Sequence, residues 1–248
     1  MHFEMKSVVS RLSSPLLVLC LYLFGSMPAQ AQGPAFPNKQ LDITVPFSTG
    51  GGVDLLARLI AQPLSAALNQ SVIVENRPGA SGMIGARYVA SRPADGHSML
   101  MMNDTYAITA GVSKSIPFDT KKDIAPVIVV AYAPQLLVTS PQSPINSFAD
   151  IMKLGRTPNA KVSYGACGAG TPGHLATEEL KIQLHMKMLH IPYRGCGPTM
   201  VDVMGGQVDF AWVTLGGAVS HIKAGTLKAV AVSSSQRSAI LPNVPTGH

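Results

Sequence analysis

Three glycine-bearing turns hold the residues whose types and spacing suit capture of a small anion. The first is Pro46-Phe47-Ser48-Thr49-Gly50-Gly51-Gly52-Val53-Asp54. A β-prone run ends at Phe47, three glycines let the backbone approach a ligand closely, and a helical pattern then begins with its unpaired N–H groups facing the turn. A carboxylate placed there meets several donors and the positive end of the helix dipole. Ser48 and Thr49 add hydroxyls that turn as donors or acceptors. Asp54 would repel such an anion if it pointed inward, so it is read as a first-turn residue that binds backbone N–H groups or a ligand ammonium. A plain glycine-rich connection between strand and helix is the competing reading of this turn.

The second turn, Glu75 through Ala86, carries Asn76-Arg77-Pro78 followed by Gly79, Gly82 and Gly85. Its G-x-x-G-x-x-G spacing is not the dinucleotide fingerprint G-x-G-x-x-G, and no P-loop lysine follows either turn. Nucleotide binding is therefore not expected. Arg77 is read as a loop arginine tied to the fold by carboxylates or carbonyls, with an anion clamp as the alternative. The third turn, Gly165-Ala166-Cys167-Gly168-Ala169-Gly170-Thr171-Pro172-Gly173-His174, repeats the strand-to-helix logic, with Thr171 near the cap and Pro172 in the first helical turn. Two such loops facing one another would grip a dicarboxylate from both ends. For His174, packing or capping within its helix start is weighed above direct ligand contact.

Catalytic patterns are lacking. No G-x-S-x-G elbow is present, nor H-E-x-x-H or paired Cys-x-x-Cys metal spacing, so neither a metal nor a cofactor is expected. A thiol site built from Cys167, Cys196 and His174 is kept as an enzyme alternative. Met83, Met101, Met102, Met186, Met188, Met200 and Met204 read as core filler.

The turns lie behind an export signal. Lys6 and Arg11 precede the apolar run Pro15 to Phe24, and Ala29-Gln30-Ala31 offers small residues for cleavage. Residues 1–31 are therefore expected to be a signal peptide, with Gln32 as the first residue of the exported protein. The apolar run is shorter than the roughly 20 residues that span a bilayer. Of the 19 Lys plus Arg and 13 Asp plus Glu, removal of Lys6, Arg11 and Glu4 leaves an excess of +5. That charge suits anionic solutes, but no basic run with interleaved aromatics appears and only 1 Trp is present, so nucleic acid is not an expected partner. Cys167 and Cys196 remain after the signal and can pair in an oxidising compartment, although pairing needs a proximity that sequence does not reveal.

Positioning these turns requires an α/β frame. Short β-rich runs alternate with longer helical ones, the pattern of α/β units around a mostly parallel sheet. Strands are expected at 41–47, 71–75, 98–103, 126–132, 135–139, 161–166, 189–193, 208–213 and 227–232. Helices are expected at 53–68, 84–91, 148–156, 174–185, 198–204 and 218–223. The order strand, glycine turn, helix occurs at 41–68 and again at 161–185, as two similar lobes would give.

Ordered blocks of sequence give this reading a family. The chain resembles the solute-binding proteins of tripartite tricarboxylate transporters, the Bug group, from about Phe36 to Thr246. The resemblance runs through Pro46-Phe47 with its glycines and Asp54, Val74-Glu75-Asn76-Arg77-Pro78-Gly79-Ala80, Arg92-Pro93-Ala94-Asp95-Gly96 and His174-Leu175-Ala176. It continues in Ile191-Pro192-Tyr193-Arg194-Gly195, Gly205-Gly206-Gln207-Val208-Asp209, His221-Ile222-Lys223-Ala224-Gly225 and Leu241-Pro242-Asn243-Val244-Pro245-Thr246.

The resemblance implies a two-lobed, type II periplasmic binding protein, a Venus flytrap with a mostly parallel sheet in each lobe. Such a protein captures a di- or tricarboxylate or related organic acid as a monomer and delivers it to transporter components in the membrane, without chemistry. It implies lobe 1 at 32–134, lobe 2 at 135–248, and a hinge at a strand pair around Ala131 to Gln135. First-lobe contacts would come from Phe47, Ser48, Thr49, Gly50, Gly51 and Asp54, and from the strand end at Asn103 to Thr105. Second-lobe contacts would come from Ala166, Gly168 and Thr171, and from the segment Trp212 to Thr214.

The chain departs from the family pattern in three places. Cysteines stand at 167 and 196 where small or hydroxyl residues are usual, implying a disulfide or a free thiol in the cleft. Trp212-Val213-Thr214 offers one hydroxyl where relatives often carry an acid. Relatives continue for several tens of residues beyond Val244-Pro245-Thr246, so the first lobe is expected to be incomplete, and a poorly folded remnant is the second reading carried.

Overall fold

The structure, a computed structural model, describes residues 35–247. The expected signal peptide lies outside these residues. From Lys39 onward the chain forms one compact unit containing two sheets, each with its own helices.

The first sheet has the order β2-β1-β3 and is parallel throughout. Its strands are β1 (Leu41–Val45), β2 (Val72–Asn76) and β3 (Ser98–Leu100). In β1 every apolar residue is buried, with Ile43 and Val45 in the core, the near-continuous burial expected of a central parallel strand. Helix α1 (Gly52–Leu68) follows β1 directly and buries Asp54, Ala57 and Ala61, residues spaced three and four apart on one helix face. It ends at Asn69, whose φ of 50° is the left-handed cap for which asparagine is suited. A single 3₁₀ turn (Ala80–Gly82) leads into α2 (Met83–Ala90). Helix α3 (Thr105–Val112) completes this part.

The second sheet has the order β6-β5-β7-β4-β8, formed by β4 (Gln135–Thr139), β5 (Val162–Ala166), β6 (Met188–Pro192), β7 (Phe210–Thr214) and β8 (Lys228–Val232). Strand β5 pairs in parallel with β6 and β7, whereas β4 runs antiparallel to β7 and β8. Four of the five strands thus share one direction. The sheet has a core on both faces, and its strands alternate between them. Leu136, Val138, Ala211 and Val213 face one core with Met200, Val203, Leu215 and Ala218. Leu137, Phe210 and Trp212 face the other with Ile151, Tyr164 and Met186. This is the period-two geometry of a strand applied to a sheet covered on both sides.

The helices here are α4 (Phe148–Arg156), α5 (Pro172–Gln183), α6 (Cys196–Met204) and α7 (Leu215–Lys223). Helix α4 begins with a reciprocal capping box between Ser147 and Asp150. Helix α5 begins with proline in its first turn, where a missing N–H costs nothing.

Three expectations are corrected. Residues 126–132 form no strand: Val127, Ile128 and Tyr132 are 86%, 78% and 92% exposed. Their β-branched composition favours an extended backbone, but a strand exists only where a neighbouring edge accepts its hydrogen bonds, and no edge pairs with this run among the described residues. The hinge expected at a strand pair around 131–135 has a single strand there, β4, starting at Gln135. The expected strand end at 103–105 is a helix start instead, because β3 closes at Leu100 and Thr105 opens α3. Helix α3 was not legible in Thr-Tyr-Ala-Ile-Thr-Ala-Gly-Val, which is rich in residues of low helix propensity. Among the described residues no helix is long and apolar enough to cross a membrane.

Candidate functional site

The C-terminal ends of β1, β5 and β6 open into loops that meet between the two sheets. After β1, the turn from Ser48 to Gly51 lies against the loop joining β6 to α6. The Ser48 N–H donates to the Arg194 carbonyl at 3.1 Å, and its hydroxyl donates to the same oxygen at 3.2 Å. Backbones approach so closely here that a methyl group on Gly195 would stand 2.7 Å from the Ser48 nitrogen. Thr49 lies with its carbonyl against Gly197, and Gly51 packs on Cys196.

The other loops pair crosswise. The 3₁₀ turn after β2 faces the loop after β5, and the Ser81 hydroxyl donates to the Ala169 carbonyl at 2.5 Å. The first and third glycine turns therefore do not grip one another directly. Each meets a different segment of the opposite lobe.

Between these two contacts lies a cavity of about 30 Å³. Phe47 and the turn 79–82 line it from one side, and Cys167, Gly168, Tyr193 and Arg194 from the other. A more open groove of about 840 Å³ lies far from these loops, along α4 and residues 246–247, and brings none of the candidate residues together.

Asp54 is 5% exposed and does not reach toward the cavity through any bond given by the structure. Its carboxylate accepts from the Gly50 N–H at 3.0 Å, from Arg58 at 3.1 Å and from Asn76 at 2.9 Å. Asn76 also donates to the Phe47 carbonyl at 3.0 Å. Burial raises the Asp54 pKa, but these donors together outweigh burial and hold its carboxyl below the ordinary value. Asp54 thus fastens the first glycine turn to its own helix and to β2.

The helix start that the sequence offered to an anion is itself covered. Thr214 sits so near Gly52 that a methyl group there would come within 2.7 Å of the threonine methyl, and Gly217 lies against the Gly52 nitrogen. The glycine triplet accordingly serves close packing of α1 on α7.

In the second lobe, Ala166 is buried at the end of β5. The Thr171 hydroxyl donates to the Gly168 carbonyl at 2.8 Å, closing the loop on itself. Thr214 precedes α7 with its hydroxyl 3.5 Å from the Cys196 sulfur. Thr105 is fully buried, its hydroxyl without a hydrogen-bond partner among the described residues, and it does not line the cavity.

Cys167 and Cys196 form a disulfide with Cα atoms 4.3 Å apart. It joins the loop after β5 to the first turn of α6 and stands in the cavity wall. The thiol site kept as an enzyme alternative is overturned, since both sulfurs are bonded to each other and neither offers a thiolate nucleophile.

His174 does not line the cavity. Its Nδ1 accepts the Gly170 N–H at 3.1 Å, which requires the neutral ring, and burial pushes its pKa down in keeping with that. Its ring packs on His190 with centroids 4.1 Å apart. Arg77 forms a two-pronged bond to Glu75 at 3.0 and 2.8 Å and lies 3.6 Å over the Tyr88 ring.

Sequence reasoning missed Ser81, Tyr193 and Arg194. The signal was present: Gly195 at the cap of α6 and Gly197 in its first turn follow β6 and repeat the strand, glycine turn, helix order already read in the other two loops.

The chain matches the family described as Tripartite tricarboxylate transporter family receptor over residues 56–248. It is 34% identical over 212 residues to a UPF0065 protein from the tcbD-tcbE intergenic region of Pseudomonas sp. (strain P51), covering 86% of this chain and 63% of that one. It is 34% identical over 220 residues to Protein BugT of Bordetella pertussis (strain Tohama I / ATCC BAA-589 / NCTC 13251), covering 88% and 68%. The chain thus spans about two thirds of the length of these curated relatives. Among solved structures, an R. palustris protein with adipate is similar at a TM-score of 0.80 and 35% identity, over 86% of this chain and 71% of that one. The periplasmic binding protein BugD is similar at 0.77 and 30%, over 85% and 71%. MatC from Rhodopseudomonas palustris with bound malate is similar at 0.75 and 27%, over 85% and 72%.

Proposed function

From the premise that this chain belongs to the tripartite tricarboxylate transporter receptor family, whose fold is that of the periplasmic binding proteins, we propose that it captures a small carboxylate, a di- or tricarboxylate or related organic acid. In this reading the protein works in the periplasm as a monomer, after removal of residues 1–31. It performs no chemistry on the solute and passes it to membrane components of a tripartite transporter. Its lobes divide at 134/135, and its solute lies between the segments that carry Phe47, Ser48, Thr49, Gly50, Gly51, Asp54, Thr105, Ala166, Gly168, Thr171 and Thr214. Of these, Phe47 and Gly168 line the cavity; Asp54 and Thr171 act by holding the turns in shape.

The observation that carries the reading is the meeting of strand-end loops from both lobes around one cavity. Adipate and malate in the similar R. palustris structures support the carboxylate class. A dicarboxylate exceeds about 30 Å³, so in this reading the loops part to admit it and close again. The bonds from Ser48 and Ser81 are non-covalent contacts that open and re-form in that cycle.

A thermal melt of the purified protein with citrate, succinate, glutamate, nicotinate and phthalate tests this. A ligand that binds only the folded state stabilises it by RT ln(1 + [L]/Kd), about 2.7 kcal/mol at a hundredfold excess over Kd. A cooperative melt raised by one of the acids supports carboxylate capture, and no response to any of them refutes it.

A further inference from the structure

Arg194 bears the only formal charge among the residues lining the cavity. Its guanidinium makes no ion pair or hydrogen bond among the described residues, and its side chain is exposed. An exposed arginine alone means little. This one differs because its backbone is held at the cleft, its carbonyl accepting two bonds from Ser48 and the next residue, Gly195, pressed against the Ser48 backbone.

The acids on the neighbouring elements are otherwise engaged. Asp54 is held by Arg58, Asn76 and the Gly50 N–H, Glu75 by Arg77, and Asp202 accepts from the Tyr193 hydroxyl at 2.6 Å. Resting on the carboxylate reading above, we propose that Arg194 is a specificity-determining residue that receives one carboxylate of a dianionic solute. A guanidinium presents its donors in a planar fork that matches a carboxylate in two-pronged fashion. Phe47 and Tyr193, which line the same cavity, offer apolar surface to the carbon chain between the two acid groups. The second carboxylate then lies among the loop N–H groups and hydroxyls. The solute class is an aliphatic dicarboxylate in preference to a monocarboxylate of equal length.

Calorimetric titration of the purified protein with succinate, adipate, butyrate and hexanoate, repeated on Arg194→Gln and Arg194→Lys, tests the assignment. A charge-assisted bond contributes roughly 1.5–3 kcal/mol, which corresponds to about a ten- to hundredfold change in Kd. The expected result is a diacid preference of that size, lost in Arg194→Gln because diacids weaken by that factor more than monoacids do, and recovered in part by Arg194→Lys. An Arg194→Gln protein that binds diacids as tightly as before, or that weakens diacids and monoacids equally, overturns the assignment while leaving carboxylate capture intact. A wild-type protein that binds only the monoacids does the same. A wild-type protein that binds none of the four acids overturns the assignment, and carboxylate capture falls with it only when citrate, glutamate, nicotinate and phthalate also leave the melt unchanged.

Discussion

Ser48 and Arg194 lie 146 residues apart, and two donors on the first, its N–H and its hydroxyl, converge on the carbonyl oxygen of the second at 3.1 and 3.2 Å. Ser48→Ala removes the hydroxyl bond and keeps the backbone bond. A net hydrogen bond contributes about 0.5–1.5 kcal/mol, so affinity for a solute that binds by closure is expected to fall about two- to tenfold. Titration with the acid that raises the melt measures it, and an unchanged Kd would show that closure does not use this hydroxyl.

The Cys167–Cys196 disulfide closes a loop of sequence separation 29. On the chain-entropy account, such a cross-link contributes roughly 3–4 kcal/mol by restricting the unfolded chain. The double variant Cys167→Ala/Cys196→Ala should lose about that much in urea unfolding. Wild type treated with a dithiol reductant should approach the same value, whereas the variant should not respond to reductant.

Asp54 is predicted to be structural. Asp54→Ala leaves the Gly50 N–H, Arg58 and Asn76 without their common acceptor, at a cost of about 2–3 kcal/mol for charge-assisted bonds. Because the folded pKa is held below the unfolded value, the contribution is fully present above the unfolded pKa and is lost as pH falls through the folded one. Urea midpoints below pH 4 should therefore fall more steeply in wild type than in Asp54→Ala.

The histidine pair predicts pH dependence of the opposite origin. Burial, and then the neighbouring His174, push His190 down to about 4. Tyr164 from β5 and Glu178 and Lys181 from α5 complete its surroundings. With the folded pKa below the ordinary value of 6.5, the unfolded chain binds the proton first on acidification. Stability is present in full above about pH 6.5 and declines as pH falls toward 4. Urea midpoints at pH 7.5 and 5.0 should differ in wild type, and His190→Gln should narrow the difference.

The frame was legible because its signals are local. The β-prone run from Leu41, the helical run over 148–156, and the threonine and proline at the start of α5 each act over a few residues, and the structure has β1, α4 and α5 there. Residues 126–132 were misread for the complementary reason. Pro-Val-Ile-Val-Val states a preference for extended backbone, but not whether a sheet edge is present to receive it.

The same division runs through the site. Sequence alone determined that strand-end loops rich in glycine precede helix starts, that Cys167 and Cys196 remain available to pair, and that the ordered blocks are those of one receptor family. Only the tertiary structure decided which loop meets which. It set Ser48 on Arg194 and Ser81 on Ala169, covered the α1 start with Thr214 and Gly217, and turned Asp54 onto its own turn. The physical reason is range. Propensity and capping act between residues a few positions apart, whereas hydrogen bonds between lobes join residues separated by 88 or 146 positions, and their partners are chosen by packing of the whole chain.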